Sequence, residues 1–266
     1  MKIELPKFKI RASAASEIMT GTVGLTPTQE KTLKGLEQKE KLTDNQQKTL
    51  EDLTFKRDNP ELPKTVTSYL EQWMMEKIYN RTKEISSKYL EKGLIMEDWS
   101  IDFIAKMLDL GFLVKNTEQF EDEYKTGEPD ILPPGSDIVI DAKNSWDFST
   151  FPLLKEEVDP KYYGQGQVYL DLTGRKNFTV AYVLSDTPEH LITSEAAYYL
   201  RKNGYGSLED NPAVVQSFFD KMTYDDVADE LRIRTFDFAY DKEYIEELHR
   251  RVELCRDWID KRLKSL

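Results

Sequence analysis

The chain has 266 residues, 39% apolar and 32% charged, which is ordinary globular usage with material for a sizeable core. Its formal net charge of −12 argues against binding nucleic acid through a broad basic face, but allows a local basic groove or a site where cations supply the positive charge. The single cysteine, Cys255, excludes an internal disulfide and any multi-cysteine metal or iron–sulfur centre.

The opening MKIELPKFKI is too short and too mixed for a secretion signal. No apolar run approaches the roughly 20 residues of a membrane span, so a cytoplasmic protein is expected. Residues 25–58 hold a tandem repeat: LTPTQEKTLKGLEQKEK is followed at once by LTDNQQKTLEDLTFKRD. Thr26 and Thr43 stand as N-caps, and Leu33/Leu36 and Leu50/Leu53 recur at helical spacing. The pattern predicts a hairpin of two short helices, serving either as a DNA or partner contact or as a solvated insertion. A long helix is predicted over 64–90, with Tyr69, Trp73, Ile78 and Ile85 on the buried side and Gly93 ending it. A second follows over 97–110, with Ile101, Ile104, Ala105 and Leu108 on one face and Gly111 as its stop. The texture then turns to strands at 112–114, 119–124 and 137–141. Residues 159–173 read as a helix and the apolar run 178–184 as a central strand. Helices at 194–202 and 212–222, a strand at 231–238 and a basic-studded helix at 242–263 complete the series. With no clear linker, 1–266 reads as one domain: a mixed sheet with helical cover.

The stretch GEPDILPPGSDIVIDAKNSW, residues 127–146, concentrates the chemistry. Alternation puts Asp141 and Lys143 on one side of a strand. A hairpin through Pro133-Pro134-Gly135 brings Asp130 beside Asp141. Two converging carboxylates repel each other unless a hard cation intervenes, and Mg²⁺, which keeps waters and accepts phosphate oxygens, suits the pair. Lys143 then faces the same pocket, an arrangement fit for phosphodiester cleavage.

G-x-P-D followed by D-x-K resembles the PD-(D/E)xK nucleases. Three further segments are similar to the lambda exonuclease and YqaJ-like viral recombinase branch. They are IRASAASEIMTG near the start, Gly93 followed by Glu97, and YYGQGQVYLDLTG over 162–174. The resemblance covers roughly residues 9–174. It implies an α/β (α+β) fold with a restriction-endonuclease-like core, a central mixed β-sheet flanked by helices, and the 25–58 hairpin as an N-terminal insertion.

The resemblance also implies roles. Asp130 would bind both Mg²⁺ ions; Mn²⁺ would substitute. Asp141 would bind one, with the carbonyl of Ala142, and its place is more often held by Glu in the family. Lys143 would orient the attacking water, and Glu97 would hold a metal-bound water or act as an outer ligand. Gln165, with Gln167 beside it, would brace the site or touch the substrate backbone. Arg11, with Ser13 or Ser16, would contact a terminal 5′-phosphate. Implied further are a 5′-to-3′ exonuclease of phage-type DNA recombination acting on double-stranded DNA with free ends, a single-strand annealing partner, a ring of three subunits, and a bacterial host cytoplasm. Two other readings stay open: an endonuclease of restriction or junction-resolving type, and a recombination accessory protein that binds DNA without cutting.

Overall fold

The computed structural model describes residues 4–83 and 87–265. It begins with a two-residue strand β1 (Ile10–Arg11), a 3₁₀ turn (Ala12–Ala14) and helix α1 (Ala15–Met19). The described residues fall into two compact units. One takes in the chain up to Ile10, Ala14–Lys83 and the chain from Glu246 onward. The other takes in Arg11–Ser13 and the described residues of Glu84–Ile245.

The first unit is helical. The repeat forms α2 (Pro27–Glu37) and α3 (Asp44–Asp58), each opened by a capping box. The Thr26 hydroxyl accepts from the Gln29 N–H while the Gln29 side chain accepts from the Thr26 N–H, and Thr43 and Gln46 repeat the exchange. Leu25, Leu33 and Leu53 bury together, with Leu50 against them. Helix α4 (Lys64–Tyr79) buries Val66, Leu70 and Met74, while the expected Tyr69, Trp73 and Ile78 are only half-buried. It stops at Asn80, whose left-handed φ of 50° closes the helix, and not near 90. Ile85 lies outside the described residues. Helix α10 (Lys242–Lys264) buries Leu248, Val252, Cys255 and Ile259 on one face. From the same helix, buried Arg251 donates to the carbonyls of Ile18, Thr20 and Gly21, and Arg256 donates to that of Phe8.

The second unit opens with α5 (Lys88–Ile95) and α6 (Glu97–Met107). Gly93 lies inside α5, and the break falls at Met96. Residues 112–114 form no strand: Phe112 is 82% exposed and only an isolated bridge, Lys115 to Ile131, follows. Short strands β2 (Phe120–Glu121) and β3 (Lys125–Gly127) pair antiparallel in a small sheet of order β1-β3-β2. The main sheet has the order β4-β5-β6, built from β4 (Ile138–Asn144), β5 (Asn177–Val183) and β6 (Ile233–Ala239). β4 and β5 run parallel, with Asp141 opposite Val180; β5 and β6 run antiparallel. The parallel pair needs a crossover, and α7 (Pro160–Thr173) supplies it, capped by Asp159. Helices α8 (Glu189–Asn203) and α9 (Pro212–Met222) stand between β5 and β6 in the chain.

Alternation divides the sheet's two faces. Ile140, Ala181 and Val183 pack with Ile101, Phe103 and Ile104 of α6. Their neighbours point the other way, toward α7, where Gly166 sits so close that a Cβ would come 2.7 Å from Phe178 and 2.6 Å from Phe238. The α7 face therefore carries Val139, Asp141 and Lys143.

Candidate active site

The site forms at the open edge of β4. Ile131 and Ile140 exchange two backbone hydrogen bonds of 3.1 Å, closing the hairpin through 133–136. Groups two residues apart on a strand point the same way, so the N–H and C=O of Ala142 also face this edge, away from β5. Its N–H donates to Asp130 Oδ2 at 3.0 Å, which fixes the Asp130 carboxylate; its carbonyl faces the same side.

On the α7 face, Asp141 is fully buried. Its Oδ1 accepts from Gln165 Nε2 at 3.2 Å, and Gln165 Nε2 also donates to the Tyr169 hydroxyl at 3.0 Å. Its Oδ2 lies 2.6 Å from Lys143 Nζ, an ion pair by distance, yet takes no well-aligned hydrogen bond. The Lys143 ammonium stands 5.2 Å from the centre of the Tyr162 ring. Tyr162, Gln165 and Tyr169 are spaced by three and four residues, which places all three on one face of α7. That spacing is legible in YYGQGQVYLDLTG itself.

The electrostatics match the crowding. Burial, and then the charge of Asp141, push the Asp130 carboxyl up to about 7, against the opposing pull of Lys143. For Lys143, burial disfavours the charge, but Asp141 and Asp130 outweigh it and raise the ammonium above its usual range. Two acids thus share one cationic partner. The Asp141 oxygen without an aligned donor and the raised Asp130 are the marks of a site short of positive charge. An all-oxygen donor set of two carboxylates and a backbone carbonyl fits a hard divalent cation.

Glu97 begins α6 and is bound elsewhere: its Oε2 lies 2.6 Å from Lys115 Nζ. Lys115 is brought there by the bridge to Ile131, and the next residue, Asn116, donates its N–H to the Asp130 carbonyl at 2.7 Å. No local pattern in the sequence marks Lys115, because a non-local bridge places it.

Gln167 departs from the expectation of a substrate contact. It is fully buried; its Nε2 donates to the Ala239 carbonyl at 2.8 Å and its Oε1 accepts from the Asp241 N–H at 2.7 Å. Both ends of the amide are committed to backbone at and just beyond the end of β6. Arg11 and Ser13 are exposed; Ser16, in the first unit, is half-buried. Ala12, between Arg11 and Ser13, packs on the strand where Gly127 leaves room. A Cβ at Gly127 would lie 2.6 Å from the Tyr169 ring and 3.0 Å from the Ala12 methyl. A line of contacts therefore runs from the Arg11 segment through Gly127 and Tyr169 to Gln165 and Asp141. Trp146 packs with Leu191, Ile192 and Met222 and is core.

No protein-family model and no curated protein matches the chain. Solved structures do. A phage-related exonuclease from Haemophilus somnus 129PT superimposes with a TM-score of 0.71 at 22% identity, over 98% of this chain and 97% of that one. The alkaline exonuclease LHK-Exo of Laribacter hongkongensis gives a TM-score of 0.55 at 12% identity, over 97% and 90%. The same LHK-Exo in complex with dAMP gives 0.57. Over nearly its whole length, then, this chain has the fold of the phage-type and alkaline exonucleases.

Proposed function

We propose that the protein is a Mg²⁺-dependent deoxyribonuclease, a 5′-to-3′ exonuclease that resects linear double-stranded DNA. The observation that carries this reading is the convergence of Asp130, Asp141, Lys143 and Gln165 at one edge strand of an exonuclease fold. Asp130, Asp141 and the Ala142 carbonyl would hold the cation, with Glu97 outside them; Mn²⁺ would substitute. When bound, the cation polarises the scissile phosphate and acidifies water.

The chain's own residues do the rest. The Ala142 N–H orients the Asp130 carboxylate. Gln165 holds Asp141, and is itself positioned by its hydrogen bond to Tyr169. Lys143 keeps its proton beside two carboxylates, so it donates to the attacking water or the phosphate without giving the proton up. Arg11 and Ser13, exposed at the surface of the same unit, would meet a terminal phosphate, for which a guanidinium offers paired hydrogen bonds.

The test is digestion of end-labelled linear and closed circular duplex DNA with Mg²⁺. Linear DNA alone should be degraded, faster with a 5′-phosphate than with a 5′-hydroxyl. Arg11→Ala should erase that preference. Asp130→Ala and Lys143→Ala should each lose at least about a hundredfold in rate while remaining folded. Cutting of circles would replace the exonuclease reading with an endonuclease, and near-normal rates in a folded Asp130→Ala would remove the site.

A further inference from the structure

Lys115 is a cation beside the site to which the nuclease reading gives no task. Its Nζ lies 2.6 Å from Glu97 Oε2, and both side chains are partly exposed. The bridge to Ile131 anchors its backbone, and Asn116 ties the following residue to the Asp130 carbonyl. The hydrogen bond to Glu97 raises the Lys115 ammonium above its usual range, burial opposes this, and the charges of Glu97, Asp130 and Glu128 add to the rise. One lysine therefore answers a group of acids, with its hydrogen bond given to Glu97. A carboxylate paired at that distance has one lone pair occupied and much of its charge offset, so it is a poorer partner for a hydrated cation.

We propose that Lys115 is a positioning residue that competes with the divalent cation for Glu97: it holds the carboxylate in an ion pair, and cation binding at full strength requires its release. The inference rests on the nuclease reading, in which Glu97 is an outer ligand. It treats Lys115 as a built-in counter-ion that sets how tightly the site takes its metal.

Calorimetry with Mn²⁺ on the full chain tests it. Lys115→Gln should bind Mn²⁺ about two- to fivefold more tightly than the unmodified protein, the range of a partly exposed ion pair. Lys115→Arg keeps the charge and should bind as the unmodified protein does. In a Glu97→Gln background, replacing Lys115 with Gln should change nothing. Equal or weaker binding by Lys115→Gln overturns the proposal. So does the same tightening with Glu97 replaced, which would mean a general charge effect and no competition for that carboxylate. Failure of the nuclease reading looks different: Mn²⁺ binding to the unmodified protein that is absent, or indifferent to Asp130→Asn.

Discussion

The Ile131–Ile140 pairing sets Asp130 beside Asp141, and burial first, then the charge of Asp141, disfavours the Asp130 carboxylate. The folded Asp130 carboxyl titrates at about 7 against an ordinary 3.8, so the folded protein keeps this proton while the unfolded chain loses it. Stability should be unaffected below about pH 4, fall as pH rises toward 7, and stay lower above that. Asp130→Asn keeps an acceptor for the Ala142 N–H and removes the charge. It should therefore raise the melting temperature at pH 8, by the equivalent of roughly 1–3 kcal/mol, and leave it unchanged near pH 4. Melts that coincide at pH 8 would contradict the electrostatic account. The acids and Lys143 were legible because they occupy one stretch whose alternation is local. Lys115 was not, since a bridge across 16 positions of sequence brings it in. Residues two apart on a helix point to nearly opposite sides, so Gln167 turns away from Gln165.

At the level of elements, α7 shows how packing sets chemistry. Its small residues let the helix lie flush on β5 and β6, near enough for Gln165 to reach Asp141. Gly166→Ala should gain up to about 1 kcal/mol in helix propensity. That is outweighed by a Cβ at 2.6–2.8 Å from two aromatic rings that stack on each other, an overpacking cost of about 1–3 kcal/mol or more. A lower melting temperature with a reduced rate is expected, as the displaced helix carries Gln165 off Asp141; an unchanged rate would show that Gln165 is dispensable. Elements with strong local signals matched expectation. The two capped helices of the repeat, the central β5 and the long α10 all lie where the periodicity put them. The helix at 64–90 did not, because Asn80 adopts a left-handed turn that helical periodicity does not reveal. The strand expected at 112–114 failed as well, since its apolar residues lack a partner strand.

For the whole molecule, the net charge of −12 makes the proposed DNA binding a matter of counter-charge. With few cations at the site, the acids repel the phosphate backbone unless a metal is present. The Lys143→Ala protein, expected to be inactive, should bind end-labelled duplex in Ca²⁺ and lose most of that affinity in chelator, read by fluorescence anisotropy. Equal affinity in both would point instead to a basic groove. The mixed sheet with helical cover was legible from the order of its elements. The first unit joins residues from both ends of the sequence, and composition carries no trace of that.

The arginines of α10 that hold residues 8–21 impose a timetable on synthesis. Arg251 reaches back 233 positions to Ile18, and Arg256 reaches back 248 to Phe8. At ordinary ribosomal speed the carbonyls they satisfy wait roughly 10–50 s for their donors to emerge. Through that interval these carbonyls lack their donors, although Phe8 can already pack on Tyr69 and Trp73. Closure of so long a loop also makes this docking a late step in refolding. A nascent chain arrested before residue 251 would leave these carbonyls without their arginine donors, however well the mixed sheet had already formed.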